Sequence, residues 1–127
     1  WLERRGRDDV EKLIDEDKAK HLIEARKVAG ELAAVLLLNR VWERKEAAFK
    51  RHQPALFRLW HNPQLSEEVR ASISSFLSAA AASLTNAEPK ERVPLGERRQ
   101  SHDRLHTALH ALLAVTEREL AALMHKG

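Results

Sequence analysis

The stretch AGELAAVLLLNRVWERKEAAFKRHQPALFRLW, Ala29 to Trp60, decides how this chain folds. Almost every residue in it favours helix, and only Gly30 and Pro54 argue against one continuous rod. Upstream, Val10, Leu13, Ile14, Ala25, Val28, Ala29, Leu32, Val35 and Leu36 recur at intervals of three and four, the spacing of one helix face. Asp8 and Asp9 suit a helix start, because carboxylates complement its unpaired N–H groups. An unbroken helix from residue 8 to 52 would be about 68 Å long at 1.5 Å per residue. A compact domain of this size is only about 30 Å across. The expectation is therefore a first helix that either breaks, at Gly30, or leaves one end needing a partner. The charged run DEDKAKH, Asp15 to His21, is the part least able to bury itself alone.

Downstream, Pro54 and the Asn62–Pro63 pair bracket ALFRLW, which reads as a short helix. Ser66 stands as an N-cap, with Glu67 and Glu68 in the turn it opens. The following helix carries an apolar stripe of Val69, Ile73, Phe76, Leu77, Ala80 and Leu84, and its other faces are rich in Ala and Ser. Thr85 to Gly96, with two prolines and a glycine, is the clear loop. A last helix from Glu97 or Ser101 to Met124 places Leu105, Leu109, Leu112, Thr116, Leu120 and Leu123 on one face. With no alternating β-branched run, the fold class is all-α. The expected form is an antiparallel bundle of three long helices and one short one in a single domain over residues 1–127, the first helix unusually long. Residues 1–7 are expected as a flexible or juxtamembrane start.

Composition removes several function classes. Without Cys there is no disulfide, thiolate metal ligand or thiol nucleophile. The longest apolar run, AAVLLL, falls well short of a membrane span, and no signal peptide is visible, so a cytoplasmic location is expected. The opening WLERR resembles a segment following a membrane helix; an upstream anchor is the disfavoured reading. No glycine-rich phosphate loop, nucleophile elbow or paired catalytic carboxylates appear. No cofactor is expected.

Three constellations remain. Residues 39–61 carry six basic against two acidic side chains, although the whole chain is only +3. Within that segment Arg40, Arg44, Arg51 and Arg58 fall within about 40° of one another on a helical wheel, provided the helix survives Pro54. Such a stripe suits a phosphate backbone, with Arg98, Arg99 and Arg104 as a second basic group. The interleaved aromatics, Trp42, Phe49, Phe57 and Trp60, do not make a stacking platform beside it: Trp42, Phe49 and Trp60 cluster with Leu56 on the opposite side and read as core. Secondly, SHDRLHTALH sets His102, His106 and His110 at intervals of four, a spacing that lets two imidazoles share a metal. The segments expected to face them offer few acidic core positions, so a metal site is disfavoured. Thirdly, Arg104 and His110 have a spacing similar to the Arg-x(4–6)-His motif of HEPN-type ribonucleases. Leu105 departs from that motif, which usually has a polar residue after the Arg. The favoured expectation is a non-catalytic interaction or assembly module, self-associating or binding a helical partner through its first helix and its Ala/Ser-rich third segment. A nucleic-acid-backbone binder is the alternative, and a metal-binding bundle the next.

Overall fold

A computed structural model describes residues 2–89 and 93–125, with side chains described from residue 9 onward. Four helices account for nearly all of it: α1 (Leu2–Leu38), α2 (Trp42–Trp60), α3 (Glu67–Asn86) and α4 (Leu95–Met124). Each packs on at least two others, and the α3–α4 contact is the most extensive. The chain is all-helical among the described residues, and none of those helices is long and apolar enough to cross a membrane.

The loop is shorter than the expected Thr85 to Gly96, since α3 ends at Asn86 and α4 opens at Leu95, and two larger differences lie at the bounds of α1 and at Pro54. α1 starts at Leu2 rather than at Asp8 or Asp9, and it runs through Gly30 without interruption. A Cβ at Gly30 would meet nothing within 4 Å and its φ is not positive, so the glycine neither relieves a clash nor turns the chain. The break falls instead between Leu38 and Trp42, at three residues that carry no glycine or proline. Asn39 supplies the means. Its side-chain oxygen accepts from the Val41 backbone N–H at 2.8 Å, and Val41 is extended (φ −91°, ψ 113°). An Asn side chain offers the backbone this local alternative to the next helical hydrogen bond. Burial on both sides favours it: Leu36 before the break and Leu56 after it are both in the core.

The second difference is that no short helix begins at Pro54. α2 passes through that residue, so the expected fourth, short element is the second half of a 19-residue helix. Proline removes an N–H and crowds the carbonyl four residues back. Both Pro54 and Lys50, which bears that carbonyl, are exposed, so water can satisfy the freed acceptor. Leu56 and Leu59 beyond the proline are almost fully buried, and that burial holds the continuation in place.

One cluster of buried side chains joins all four helices: Leu22, Ala25, Ala29, Leu32 and Leu36 of α1; Leu56 and Leu59 of α2; Val69, Ile73, Phe76 and Ala80 of α3; Leu105, Leu112 and Val115 of α4. The α3 stripe and the α4 face match their sequence patterns. Within them Leu84, Leu109, Leu120 and Leu123 pack at the margin of the core, as do Phe49 and Trp60 of α2. Ala79 and Ala80 let α3 sit close against its neighbours, so part of the small-residue face meets this chain and not a partner. Ser66 caps α3 as expected, accepting from the Val69 N–H at 3.2 Å. Its hydroxyl also donates to Glu119 of α4.

Polar ties sit around the core rim. Arg26 of α1 donates to the Leu113 carbonyl (2.6 Å) and to the Thr116 hydroxyl (3.0 Å) of α4. Lys18 pairs with Glu119, Glu24 with Arg58, and Glu68 with Arg118. The Trp42 indole N–H donates to the Leu84 carbonyl, joining the start of α2 to the end of α3.

Candidate functional site

α1 divides into two unlike halves. From Leu22 onward the inward positions Leu22, Ala25, Ala29, Leu32 and Leu36 are buried, with Ile23 and Leu38 exposed on the outer side, but Val10, Leu13 and Ile14 are 55, 65 and 51% exposed. The periodicity that runs through all of them is one pattern, yet the bundle covers only its second half. A shallow groove of about 380 Å³ lies between this uncovered strip and Gln64 of the α2–α3 turn, edged by Glu16, Asp17 and Lys20. Around the strip, residues 9–17 carry five acidic side chains and one basic.

The far end of α2 carries a second exposed apolar group. Phe57 is 48% exposed, and its ring meets Trp60 edge-on at 5.4 Å and His61 at 4.7 Å. The Arg58–Glu24 pair places this aromatic group alongside the middle of α1.

The arginine stripe is partly assembled. Arg44, Arg51 and Arg58 stand exposed on α2, and because the helix continues through Pro54 they share one outer face. Arg40 lies in the α1–α2 turn, outside either helix, which separates it from that face. Arg58 is engaged by Glu24 at 2.9 Å, leaving Arg44 and Arg51 as the outward-facing members. The residues predicted for the opposite side do turn inward: Leu56 is buried, and the aromatics Trp42, Phe49 and Trp60 are half-buried.

His102, His106 and His110 are all exposed along α4, not at a bundle interior. Their rings form a column, 5.5 Å between the first two and 5.9 Å, stacked, between the second and third. Among the described residues no group of three or more His, Asp or Glu side chains is arranged to hold a metal ion. Arg104 and His110 are likewise exposed, and six residues along a helix places them on different sides of it. The helical wheel leaves Phe57 outside the inward cluster of Trp42, Phe49, Leu56 and Trp60, yet sequence reasoning drew no surface role from that signal. It also missed Lys45, half-buried at the start of α2. Burial and the nearby Arg98 charge hold the Lys45 ammonium below its usual value of 10.5.

No protein-family model, curated protein or solved structure matches this chain.

Proposed function

We propose that this chain is a non-catalytic assembly module: an up-down-up-down antiparallel bundle whose uncovered first-helix segment docks on a second copy of itself. The antiparallel reading is supported by contact pairs that run in opposite chain directions. Lys18 meets Glu119 while Arg26 meets Thr116; Glu24 meets Arg58 while Glu31 lies beside His52. Trp42 reaches Leu84, and Asn86 reaches Ser101 while Glu68 meets Arg118.

The observation that carries the assembly reading is the exposure of Val10, Leu13 and Ile14 together on one helix face. Contiguous exposed apolar side chains rimmed by charge are what interaction surfaces look like, whereas singly scattered ones need no explanation. A second copy fits as the occupant on charge. Residues 9–17 are acidic on balance, and the α2 surface near Phe57 carries Arg51 beside Lys50 and Arg58, which Glu46 and Glu24 of the same chain already engage. Two copies related by a two-fold axis would set the acidic strip of each against the basic, aromatic face of the other, an isologous contact made twice. Opposite charges at such a rim steer the encounter and weaken with salt.

Sedimentation equilibrium of the whole chain tests this. The expected result is a dimer that weakens as salt rises and is lost in Leu13→Glu and in Phe57→Glu, with helix content and melting temperature preserved. A monomer at about 500 µM in low salt would refute the reading, since only millimolar or weaker affinity, about −4 kcal/mol, would then remain.

A second reading is favoured by the continuity of α2, which gives Arg44, Arg51 and Arg58 a common outer face. That face suits the backbone of a nucleic acid, read without sequence preference. Replacing the three with Gln should weaken oligonucleotide binding and flatten its salt dependence by about 0.7–0.9 log units per lost phosphate contact. Absence of binding at low salt would end this alternative.

A further inference from the structure

The opposite end of the bundle, where α1 turns into α2 and α3 leads to α4, holds a cleft of about 490 Å³. Four basic side chains border it: Arg40 from the turn, Lys45 from the start of α2, and Arg98 and His102 from the start of α4. Among the described residues the rest of its polar edge is neutral, Asn86 included, and no carboxylate borders it. Among the described residues neither Arg40 nor Lys45 lies within ion-pair distance of an acidic group. One wall is apolar, made by Leu37 and its neighbours at the end of α1.

The sign of the field in this cleft is set by the side chains. α2 and α4 begin at this end and α1 and α3 finish here, so their terminal partial charges oppose one another. The first turns of α2 and α4 receive no side-chain cap, which leaves backbone N–H donors at the same end. Lys45 is half-buried and Arg40 and Arg98 exposed, so three elements bring full positive charge to one opening. Like charges gathered there repel, and the Lys45 pKa is lowered first by burial and then by the Arg98 charge. An anion held between them reverses the balance.

We propose that this cleft binds the phosphoryl group of a small phosphomonoester whose organic part lies against the leucine wall. A phosphomonoester brings nearly two negative charges and three acceptor oxygens, enough to engage several cations at once, and Arg forks suit that geometry. The volume falls within the range of small-molecule sites, about 300–1,000 Å³. The site lies at the other end of the bundle from the self-association surface and does not depend on it.

The test titrates phenyl phosphate and, separately, inorganic phosphate into the whole chain and follows backbone amide chemical shifts. The expected result is saturable shifts confined to residues 37–45 and 95–102, tighter for phenyl phosphate and weaker as salt rises. Lys45→Gln and Arg98→Gln should each weaken binding about tenfold or more, the loss of one charge-assisted contact, while Lys27→Gln on exposed α1 changes it less than twofold. Before ligand is added, Lys45→Gln should melt no lower than the natural chain, because it removes repulsion. Failure of either ligand to saturate at about 10 mM, beyond the millimolar range, overturns the proposal. So does equal weakening by Lys27→Gln and Lys45→Gln, or displacement of phenyl phosphate by equimolar oligothymidylate without terminal phosphates, which would make the cleft part of a nucleic-acid surface.

Discussion

Replacing Pro54 with Ala should stabilise this protein, and the size of the gain follows from where the residue sits. In a helix interior proline is about 3 kcal/mol less favourable than alanine, from the missing N–H and from its ring crowding the carbonyl four residues earlier. Here that carbonyl belongs to Lys50, which is exposed like Pro54 itself, so the freed acceptor is hydrated and the outer face can open slightly. The penalty is reduced but not removed, and a gain of about 1–3 kcal/mol is expected. Unfolding entropy near 2.1 cal/mol/K per residue gives about 0.27 kcal/mol/K for 127 residues. Each kcal/mol then raises the melting temperature by about 4 °C, so Pro54→Ala should melt about 4–12 °C higher. Circular dichroism melts, with urea unfolding to confirm an unchanged m-value, are the assay. A lower melting temperature would refute the reasoning. It would mean that the chain turns at Pro54 in solution, where the ring's fixed φ helps and alanine costs about 0.4–1 kcal/mol through the unfolded state. The continuous face of Arg44, Arg51 and Arg58 would fall with it.

Three other outcomes are expected. Gly30→Ala should add about 1 kcal/mol, because the new methyl group meets open space within an unbroken helix; a loss would place a chain break there after all. His102, His106 and His110 stack on an exposed face, so chelator should leave the melting temperature unchanged and added nickel or zinc should bind no tighter than about 10 µM. Stoichiometric metal in untagged protein, lost in His106→Ala, would overturn that. Lys45 has a folded-state pKa below its usual 10.5, so just below that pH the unfolded chain binds more protons and stability from this group rises with pH. The natural chain should therefore gain on Lys45→Met between pH 7 and pH 10.5. Urea midpoints that move in parallel would show that Lys45 is not perturbed.

The sequence by itself determined the helical class, the Ser66 cap and the inward faces of α3 and α4. Ser66 with Glu67 and Glu68, the Val69–Leu84 stripe and the Leu105–Leu123 face were legible because each depends on residues within a few turns of one another. Only the tertiary structure decided where the long first segment breaks, and which apolar residues stay uncovered. Gly30 and Pro54 are the strongest breakers in Ala29–Trp60, yet both lie inside helices, because buried residues hold the helix in place: Ala29 and Leu32 on either side of Gly30, and Leu56 and Leu59 beyond Pro54. The turn falls at Asn39, after which α2 packs on α1. Likewise Val10 and Leu32 carry the same periodic signature, and nothing in either residue says that one is exposed and the other buried. The same holds for the cleft of Arg40, Lys45 and Arg98, whose members are far apart in sequence and meet only through packing. Propensity and periodicity are local free energies of about 1 kcal/mol or less per residue, and burial across the bundle, worth about 1.5–3 kcal/mol for each large side chain, overrides them wherever the two disagree.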